Sequence, residues 1–366
     1  MFTAADHAFM TRALRLAEQG LYTTMPNPRV GCVIAKNGNI IAEGVHLYAG
    51  QPHAEAHALH AAGEAARGAD VYVTLEPCSH HGRTPPCADA LIKAGVNRVI
   101  AAMQDPNPLV AGSGLAKLAA QRIATASGLM EAQARALNPG FISRMTRGRP
   151  FIRTKIAASL DGRTALASGI SQWITGDPAR SDVQHWRARS CAILTGISTV
   201  LADDPLMTVR QPELVEQKQG RQPLRVVLDS RLKIPKEAKI LQDSHTLVVY
   251  ASDPGSRADG LLQAGVELLQ LPGADGRVSL QGLIEALAQR EINEVLVEAG
   301  AVLNGALQAL NMIDEYLIYY APVLLGDAGK GMFSLALTDM SQRHQLEIVD
   351  VRYVGSDMRV QARPRT

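Results

Sequence analysis

The sequence predicts two α/β domains, and three observations carry that prediction. The chain has 366 residues, too many for one ordinary core and enough for two domains of roughly 150–200 residues. Strand-like and helix-like apolar patterns alternate through both halves, which implies parallel or mixed sheets covered by helices. Between the halves, residues 145–150 form a polar hexamer in which Arg147, Gly148, Arg149 and Pro150 follow Arg144, the composition of a connector. The expected domains are therefore residues 1–147 and 151–366.

Residues 7–16 carry apolar positions at helical spacing, with Asp6 as the expected N-cap. Residues 30–35 and 40–45 are strand-like runs joined by Asn37-Gly38-Asn39, a strong hairpin signal. Residues 54–66 read as a helix, 71–75 as a buried strand, 88–94 as a helix and 96–102 as a strand. Residues 115–120, 123–126 and 130–145 continue as helix, strand and helix. In the second half, strands are expected at 151–158, 225–228, 246–250, 266–271, 294–297 and 315–321, then around Leu346 and at 358–362. Helices are expected at 178–189, 280–289 and 300–310, and residues 211–221 read as an exposed polar loop. The consecutive C-terminal strands predict an antiparallel edge on a mixed sheet.

Composition excludes several function classes. With 46% apolar and 20% charged residues the chain is neither disordered nor fibrous. Lys and Arg number 37 against 35 Asp and Glu, so there is no basic excess of the kind general nucleic-acid binders carry. No run of 18 apolar residues is present, and residues 1–6 lack a basic start leading into an apolar core. Four cysteines in this length make no disulfide framework. A cytoplasmic protein without membrane or nucleic-acid partners is expected.

The sharpest chemical signal is His53-Ala54-Glu55, followed after a strand by Pro77-Cys78 and then Cys87. Zinc favours tetrahedral nitrogen and sulfur ligands, and a catalytic site takes three from the protein and leaves the fourth to water. His53, Cys78 and Cys87 meet that count. Glu55, two residues from the imidazole, is placed to carry protons between that water and a substrate. The pattern matches the His-x-Glu and Pro-Cys signature of zinc base deaminases, except that eight residues separate Cys78 from Cys87. His57, His80 and His81 are alternative ligands, and His53 is preferred because it shares a turn with Glu55. Cys32 and Cys191 lie in apolar runs and read as core thiols.

No Gly-x-Gly-x-x-Gly follows a strand in the second half, so a standard dinucleotide-binding unit is unsupported. Leu296-Val297-Glu298-Ala299-Gly300 does run from a strand into a glycine and a helix, a geometry that presents backbone N–H groups to a pyrophosphate. Asp203-Asp204-Pro205 reads either as a metal site or as a turn before proline.

Taken together, Pro26-Asn27-Pro28-Arg29-Val30-Gly31, His53-Ala54-Glu55, Thr74-Leu75-Glu76-Pro77-Cys78-Ser79-His80, Gly82-Arg83-Thr84-Pro85-Pro86-Cys87 and Asp105-Pro106-Asn107-Pro108 resemble the bifunctional riboflavin-biosynthesis deaminase/reductase family. In the second half, Lys155-Ile156-Ala157-Ala158-Ser159-Leu160-Asp161-Gly162-Arg163, Ser171-Gln172-Trp173-Ile174-Thr175, the Asp-Asp-Pro run and Glu298-Ala299-Gly300 resemble the same family's reductase domain. The resemblance implies an N-terminal cytidine-deaminase-like three-layer α/β/α domain and a C-terminal dihydrofolate-reductase-like mixed-sheet domain. It implies zinc-dependent deamination of a diaminopyrimidinone ribosylamine 5′-phosphate, then NADPH reduction of the ribosylamino group to ribitylamino.

Carried over to this sequence, the resemblance implies that Asn27, His46, Asp105 and Asn107 line the base and ribose, with His80 and Arg83 near the phosphate. In the reductase half it implies substrate contacts from Ser171, Arg187, Met207, Arg210 and Glu298. Cofactor contacts are implied for Ala157, Trp173, Thr199, Asp203 and Ser230, and for the turn Gly300, Ala301, Val302, Leu303, Asn304, Gly305 and Ala306. Lys155, Asp203 and Glu298 are the candidates for orienting or protonating the sugar, with no role assigned to each. Ser230 and Arg231 are the expected readers of the 2′-phosphate that marks NADP. Bland readings stand beside these: Asn27 and Asn107 as turn residues before proline, Trp173 as core, Arg187 as a solvated helix position and Ser230 as a turn. Ala299 occupies a position where a second glycine is expected, and Gln121-Arg122-Ile123 lacks the glycine expected before its strand. A homo-oligomer is also compatible with the family. Competing functions are a zinc-stabilised binding module with Glu55 idle, a nucleic-acid base deaminase, and a monofunctional deaminase with an inactive reductase half.

Overall fold

The computed structural model describes residues 1–79, 86–108, 110–243 and 245–365. The chain divides into two compact units, Met1–Arg149 and Pro150–Thr366. Among the described residues, no helix is long and apolar enough to cross a membrane.

The first unit runs α1 (Ala4–Glu18), β1 (Gly31–Lys36), β2 (Asn39–Val45), α2 (Ala54–Ala62), β3 (Asp70–Val73), α3 (Cys87–Ala94), β4 (Arg98–Ala101), α4 (Ser113–Ala120), β5 (Ala124–Ser127), α5 (Glu131–Leu137) and α6 (Pro139–Arg147). Its sheet has the order β2-β1-β3-β4-β5. Strands β2, β1 and β3 are antiparallel neighbours, whereas β3, β4 and β5 are parallel. The β1–β2 turn takes the left-handed angles a tight hairpin needs, with φ 52° at Asn37 and 77° at Gly38. Cys32 pairs with Gly44 across the hairpin, so Gly44 shares its face and Gly31 lies on the other. A Cβ on Gly31 would fall 2.0 Å from the Ala13 carbonyl oxygen of α1, and one on Gly44 2.0 Å from that of Ala54 in α2. Helices α1 and α2 therefore cover opposite faces, giving the three layers expected.

Two local expectations are corrected. Thr3, not Asp6, caps α1: its hydroxyl accepts the Asp6 N–H at 3.1 Å while the Asp6 carboxylate accepts the Thr3 N–H at 2.8 Å, a reciprocal capping box. The single helix expected over 130–145 is two, because Pro139 cannot donate a helical N–H and disfavours helical backbone at Asn138. The Asn138 side chain instead bridges the Arg29 N–H and C=O at 2.8 and 3.0 Å.

The second unit runs β6 (Phe151–Ser159), β7 (Arg163–Ala165), α7 (Asp177–Arg189), β8 (Ala192–Gly196), α8 (Ile197–Asp203), α9 (Pro212–Gln217), β9 (Leu224–Leu228), β10 (Thr246–Tyr250), α10 (Ala258–Gln263), β11 (Glu267–Gln270), α11 (Leu280–Gln289), β12 (Glu294–Val297), α12 (Ala301–Ala309), β13 (Glu315–Ala321), β14 (Lys330–Gly331), β15 (Leu346–Val354) and β16 (Asp357–Pro364). The main sheet has the order β11-β10-β9-β8-β12-β6-β13-β16-β15. It is parallel from β11 through β13, and β16 and β15 form the antiparallel edge read from the sequence. The loop expected at 211–221 contains helix α9, started by Pro212 and held by buried Leu214. Just beyond it, buried Lys218 donates to the Ala188 carbonyl at 2.9 Å.

Candidate active sites

In the first unit, two helix starts face each other across the end of β3. His53 is the N-cap of α2, Cys78 follows β3, and Cys87 opens α3. Their ligand atoms lie within 4.8 Å of one another. His53 Nδ1 stands 3.6 Å from Cys78 Sγ and 3.3 Å from Cys87 Sγ, and the Cys87 N–H donates to Cys78 Sγ at 3.3 Å. The preferred ligand set therefore converges, while His57 sits exposed one turn along α2. His80, His81 and Arg83 lie outside the described residues.

The electrostatics ask for a cation. Hydrogen bonding from Cys87, helped by His53, pulls the Cys78 thiol down. The Cys78 thiolate and burial in turn push Cys87 up, so without a positive centre between them the pair sustains one negative charge. One imidazole and two thiolates are a zinc donor set, and coordination is what allows both thiols to ionise. The donor set and spacing fit the ion.

Glu55, in the first turn of α2, is buried, and burial pushes its carboxyl up to about 7. It also hydrogen-bonds Cys87, which puts a proton carrier against the ligand cluster. His46 is buried with its ring edge-on to His53 at 5.4 Å. Its Nδ1 lies 3.1 Å from the Pro52 carbonyl and its Nε2 3.1 Å from Asn27 Nδ2. One tautomer satisfies both: Nδ1–H donates to the carbonyl and Nε2 accepts from the amide. Burial pushes the His46 pKa down, in keeping with the neutral ring. Asp105 and Asn107 form one turn, the Asn107 N–H donating to Asp105 Oδ1 at 2.8 Å. Of the other two thiols, Cys32 is fully buried on the α2 face, while Cys191 is half-buried and accepts the Asn293 N–H.

In the second unit the named residues gather from many segments around one cavity of about 1400 Å³. Lys155, Ser171, Arg187, Met207, Arg210 and Glu298 line it, as do Ala157, Trp173, Thr199, Asp203, Ser230, Gly300, Ala301, Val302, Leu303 and Ala306. Two members of the glycine turn point elsewhere. The Asn304 side chain is buried and accepts from Thr154 Oγ1 at 2.9 Å. At Gly305 a Cβ would stand 2.2 Å from the Ser334 carbonyl oxygen, so that glycine is explained by packing. Trp173 is no core residue: it is 72% exposed, with the Arg180 guanidinium 4.6 Å from its ring centre. Both members of the acidic pair line the cavity, and Asp204, which ends α8, also accepts the Lys239 N–H at 2.8 Å.

A buried charge cluster sits at the cavity wall. Arg187 Nε and Nη2 donate to the two Glu298 oxygens at 2.6 and 2.9 Å, and Nη1 donates to the Thr208 carbonyl at 3.1 Å. Burial alone would raise Glu298, but Arg187, with Lys155 and Arg210 nearby, holds it down at about 2. Burial pushes the Lys155 ammonium down, with Glu298 opposing and Arg187 adding to the shift. Arg187 thus spends most of its fork on Glu298 and is buried, not a solvated helix residue. The Ser230 hydroxyl accepts the Val278 N–H at 3.2 Å, next to the cavity-lining Arg277; Lys239 also lines the cavity and pairs with Asp204 at 3.3 Å, whereas Arg231 is exposed and not among the lining residues. Sequence reasoning missed Lys239 and Arg277, which stand in loops that match no motif.

Residues 150–360 match the family model described as the RibD C-terminal domain. Residues 3–103 match the cytidine and deoxycytidylate deaminase zinc-binding region. The riboflavin biosynthesis protein RibD of Escherichia coli K12 is 50% identical over 361 residues, covering 96% of this chain and 98% of that protein. The RibD of Haemophilus influenzae is 46% identical, covering 100% and 99%. Among solved structures, Acinetobacter baumannii RibD superposes with a TM-score of 0.91 at 45% identity, covering 99% of each chain. A Thermotoga maritima protein described as a diaminohydroxyphosphoribosylaminopyrimidine deaminase/5-amino-6-(5-phosphoribosylamino)uracil reductase superposes at 0.86 with 36% identity, again covering 99% of each.

Proposed function

The chain belongs to the RibD family and is a bifunctional deaminase and reductase of riboflavin biosynthesis; from that premise we propose which residues carry each half-reaction. Residues 1–149 would perform the deamination and 150–366 the reduction. The observation that carries the reading is the convergence of His53, Cys78 and Cys87 beside buried Glu55.

His53, Cys78 and Cys87 would hold zinc, which, when bound, acidifies a water in its open fourth position. Glu55 would shuttle two protons in turn: the first passes from the water to the pyrimidine ring nitrogen as the oxygen adds to the amino-bearing carbon, and the second passes from the added hydroxyl to the amine, which leaves as ammonia when the C–N bond breaks. Asn27, held by His46, and Asp105 with Asn107 read the pyrimidine edge, where amide and carboxylate groups match its donors and acceptors.

In the second unit the cavity would take NADPH, which supplies a hydride when bound. The aldehyde-like carbon that accepts it is most available in the ring-opened imine form of the sugar. Glu298, clamped as an anion by Arg187, accepts a hydrogen bond from the sugar and is not the acid. Lys155 holds the proton whose loss burial favours, so it is the group that protonates the sugar, with Asp203 orienting it at the cofactor side. Among the described residues the Arg210 guanidinium makes no hydrogen bond or ion pair, and with Ser171 and Met207 it would receive the phosphorylated substrate. Ser230, whose hydroxyl accepts the Val278 N–H next to Arg277, would meet a 2′-phosphate together with that guanidinium.

The partner is a small phosphorylated pyrimidine in the cytoplasm, with nucleic acid disfavoured by the near-neutral charge. A second copy of the chain is proposed as the other partner. In the β15–β16 hairpin, Ile348–Ala362, Val351–Val360 and Tyr353–Met358 are opposite pairs and share a face. Arg359, on the other face, binds Asp182 of α7 at 2.7 Å. On this face Ala362 of β16 is buried in the core, but the β15 side stays uncovered, with Ile348 63% and Tyr353 80% exposed. At roughly 100 Å² each, Leu337, Met340, Leu346, Ile348, Val351 and Tyr353 would bury about 1,200 Å² in a symmetric pair, the lower bound for a specific interface. The charged side chains lie on the opposite face, which favours a like apolar patch over a charged partner. Sedimentation should give a dimer that Val351→Glu converts to monomer; an unchanged mass for both proteins overturns this pairing.

The functional test is ammonia release from the diaminopyrimidinone ribosylamine 5′-phosphate, followed by NADPH oxidation on its product. A binding module gives neither, a deaminase with an inactive second half gives only the first, and a nucleic-acid deaminase acts on oligonucleotides instead.

A further inference from the structure

Glu76 stands next to the Pro77-Cys78 ligand turn, yet no step above uses it. Its side chain is buried, and its carboxylate accepts four backbone N–H groups, two from residues before α4 and two from the first turn of α4. Oε2 takes those of Asp105 and Gly112 at 3.0 and 2.9 Å, and Oε1 those of Gly114 and Leu115 at 2.8 and 3.2 Å. Its own N–H donates to the Met103 carbonyl at 3.0 Å. The start of α4 is pinned a second time by Ser79 Oγ and Ser113 Oγ, 2.7 Å apart. At Gly114 a Cβ would fall 1.9 Å from the Pro77 carbonyl oxygen, so the first turn of α4 packs directly on the peptide preceding Cys78.

Four convergent donors suit an ionised carboxylate, which offers acceptors on both oxygens and no donor. A glutamine of the same shape would aim an NH₂ at two of those N–H groups, which cannot accept. The loop so gathered carries Asp105 and Asn107. We propose that Glu76 is a positioning residue for the deamination, fixing the base-reading turn relative to Cys78. This rests on the reading of Asp105 and Asn107 as substrate contacts.

The test is Glu76→Gln in the full chain, with zinc content, steady-state deamination and amide exchange measured together. Zinc stays at one per chain, KM for the pyrimidine rises about tenfold with kcat within about threefold, and the Asp105, Gly112, Gly114 and Leu115 amides exchange about tenfold faster. Glu76→Asp, which keeps the charge on a shorter arm, recovers part of the KM. Loss of zinc overturns the proposal, since Glu76 would then serve the ligands. Unchanged exchange overturns it at Glu76 itself. Faster exchange with unchanged KM also overturns it, and places the fault in the assignment of Asp105 and Asn107. In wild-type protein the four amides should be strongly protected; free exchange there overturns the proposal without any variant.

Discussion

The two units solve the problem of assembling a site in opposite ways. In the first, short segments bring fixed ligand types together: a helix cap, a turn after a strand and another helix start. In the second, the cavity wall is drawn from residues between Lys155 and Lys330, and its chemistry comes from the buried Arg187–Glu298 pair with half-buried Lys155 and exposed Arg210 beside it. Metal chemistry restricts residue type and spacing, so the first site is written locally. Binding a large anionic substrate and cofactor restricts only where charge and space converge, so the second is written in the topology.

That contrast can be broken most forcefully at Glu55. Glu55→Gln should lower deamination about 10²–10⁴-fold, the usual contribution of a general acid–base group, while zinc analysis and NADPH oxidation remain at wild-type levels. Equal losses in both activities would mean the units do not act separately. Chelation comes next. If zinc is present at about a thousand times its Kd, its removal costs the first unit about 4 kcal/mol. Calorimetry should show one transition falling in temperature and the other unmoved.

Glu298→Gln tests the other side. Leaving Arg187 and Lys155 buried without their anion should destabilise the second unit by about 3 kcal/mol and abolish reduction without touching ammonia release. The sign with pH follows from the lowered carboxyl. Glu298 sits at about 2 against an ordinary value of 4.5, so its stabilisation is full above 4.5 and disappears as pH falls through 2. Denaturant midpoints of wild type and variant should therefore converge in acid. A constant gap would show that the charge is not what matters.

The smallest expected effect is at Arg122. It ends α4 with φ 63°, and its N–H and that of Ile123 return to the Ala119 and Leu118 carbonyls, the helix-ending motif that favours glycine. Arg122→Gly should stabilise the first unit by about 0.5–1 kcal/mol and leave both activities alone.

What the sequence revealed follows the same division. His53, Glu55, Cys78 and Cys87 were legible because their chemistry is local, and the β1–β2 hairpin because Asn-Gly dictates its turn. The capping of α1 was read one partner short, since Thr3 and Asp6 act reciprocally and only the acid was weighed. Strand β8 is not assigned after the helix at 178–189, because a five-residue run carries too little periodicity to decide. The Glu298–Arg187 pair joins residues far apart in the chain, so no spacing announced that one neutralises the other. Lys239 and Arg277 reach the cavity only because β9 and the segments around β11 bring their loops to the same rim.

The strand order of the second unit also governs when it can form during synthesis. β6 is the first strand to leave the ribosome, yet its neighbours are β12 and β13, more than a hundred residues later. Its two flanks wait for nearly the whole unit to be translated, whereas the β1–β2 hairpin closes within a few residues. Nascent chains halted before Glu294 should therefore carry a protease-resistant first unit and a cleavable remainder, and chaperone demand should concentrate on that late-closing sheet.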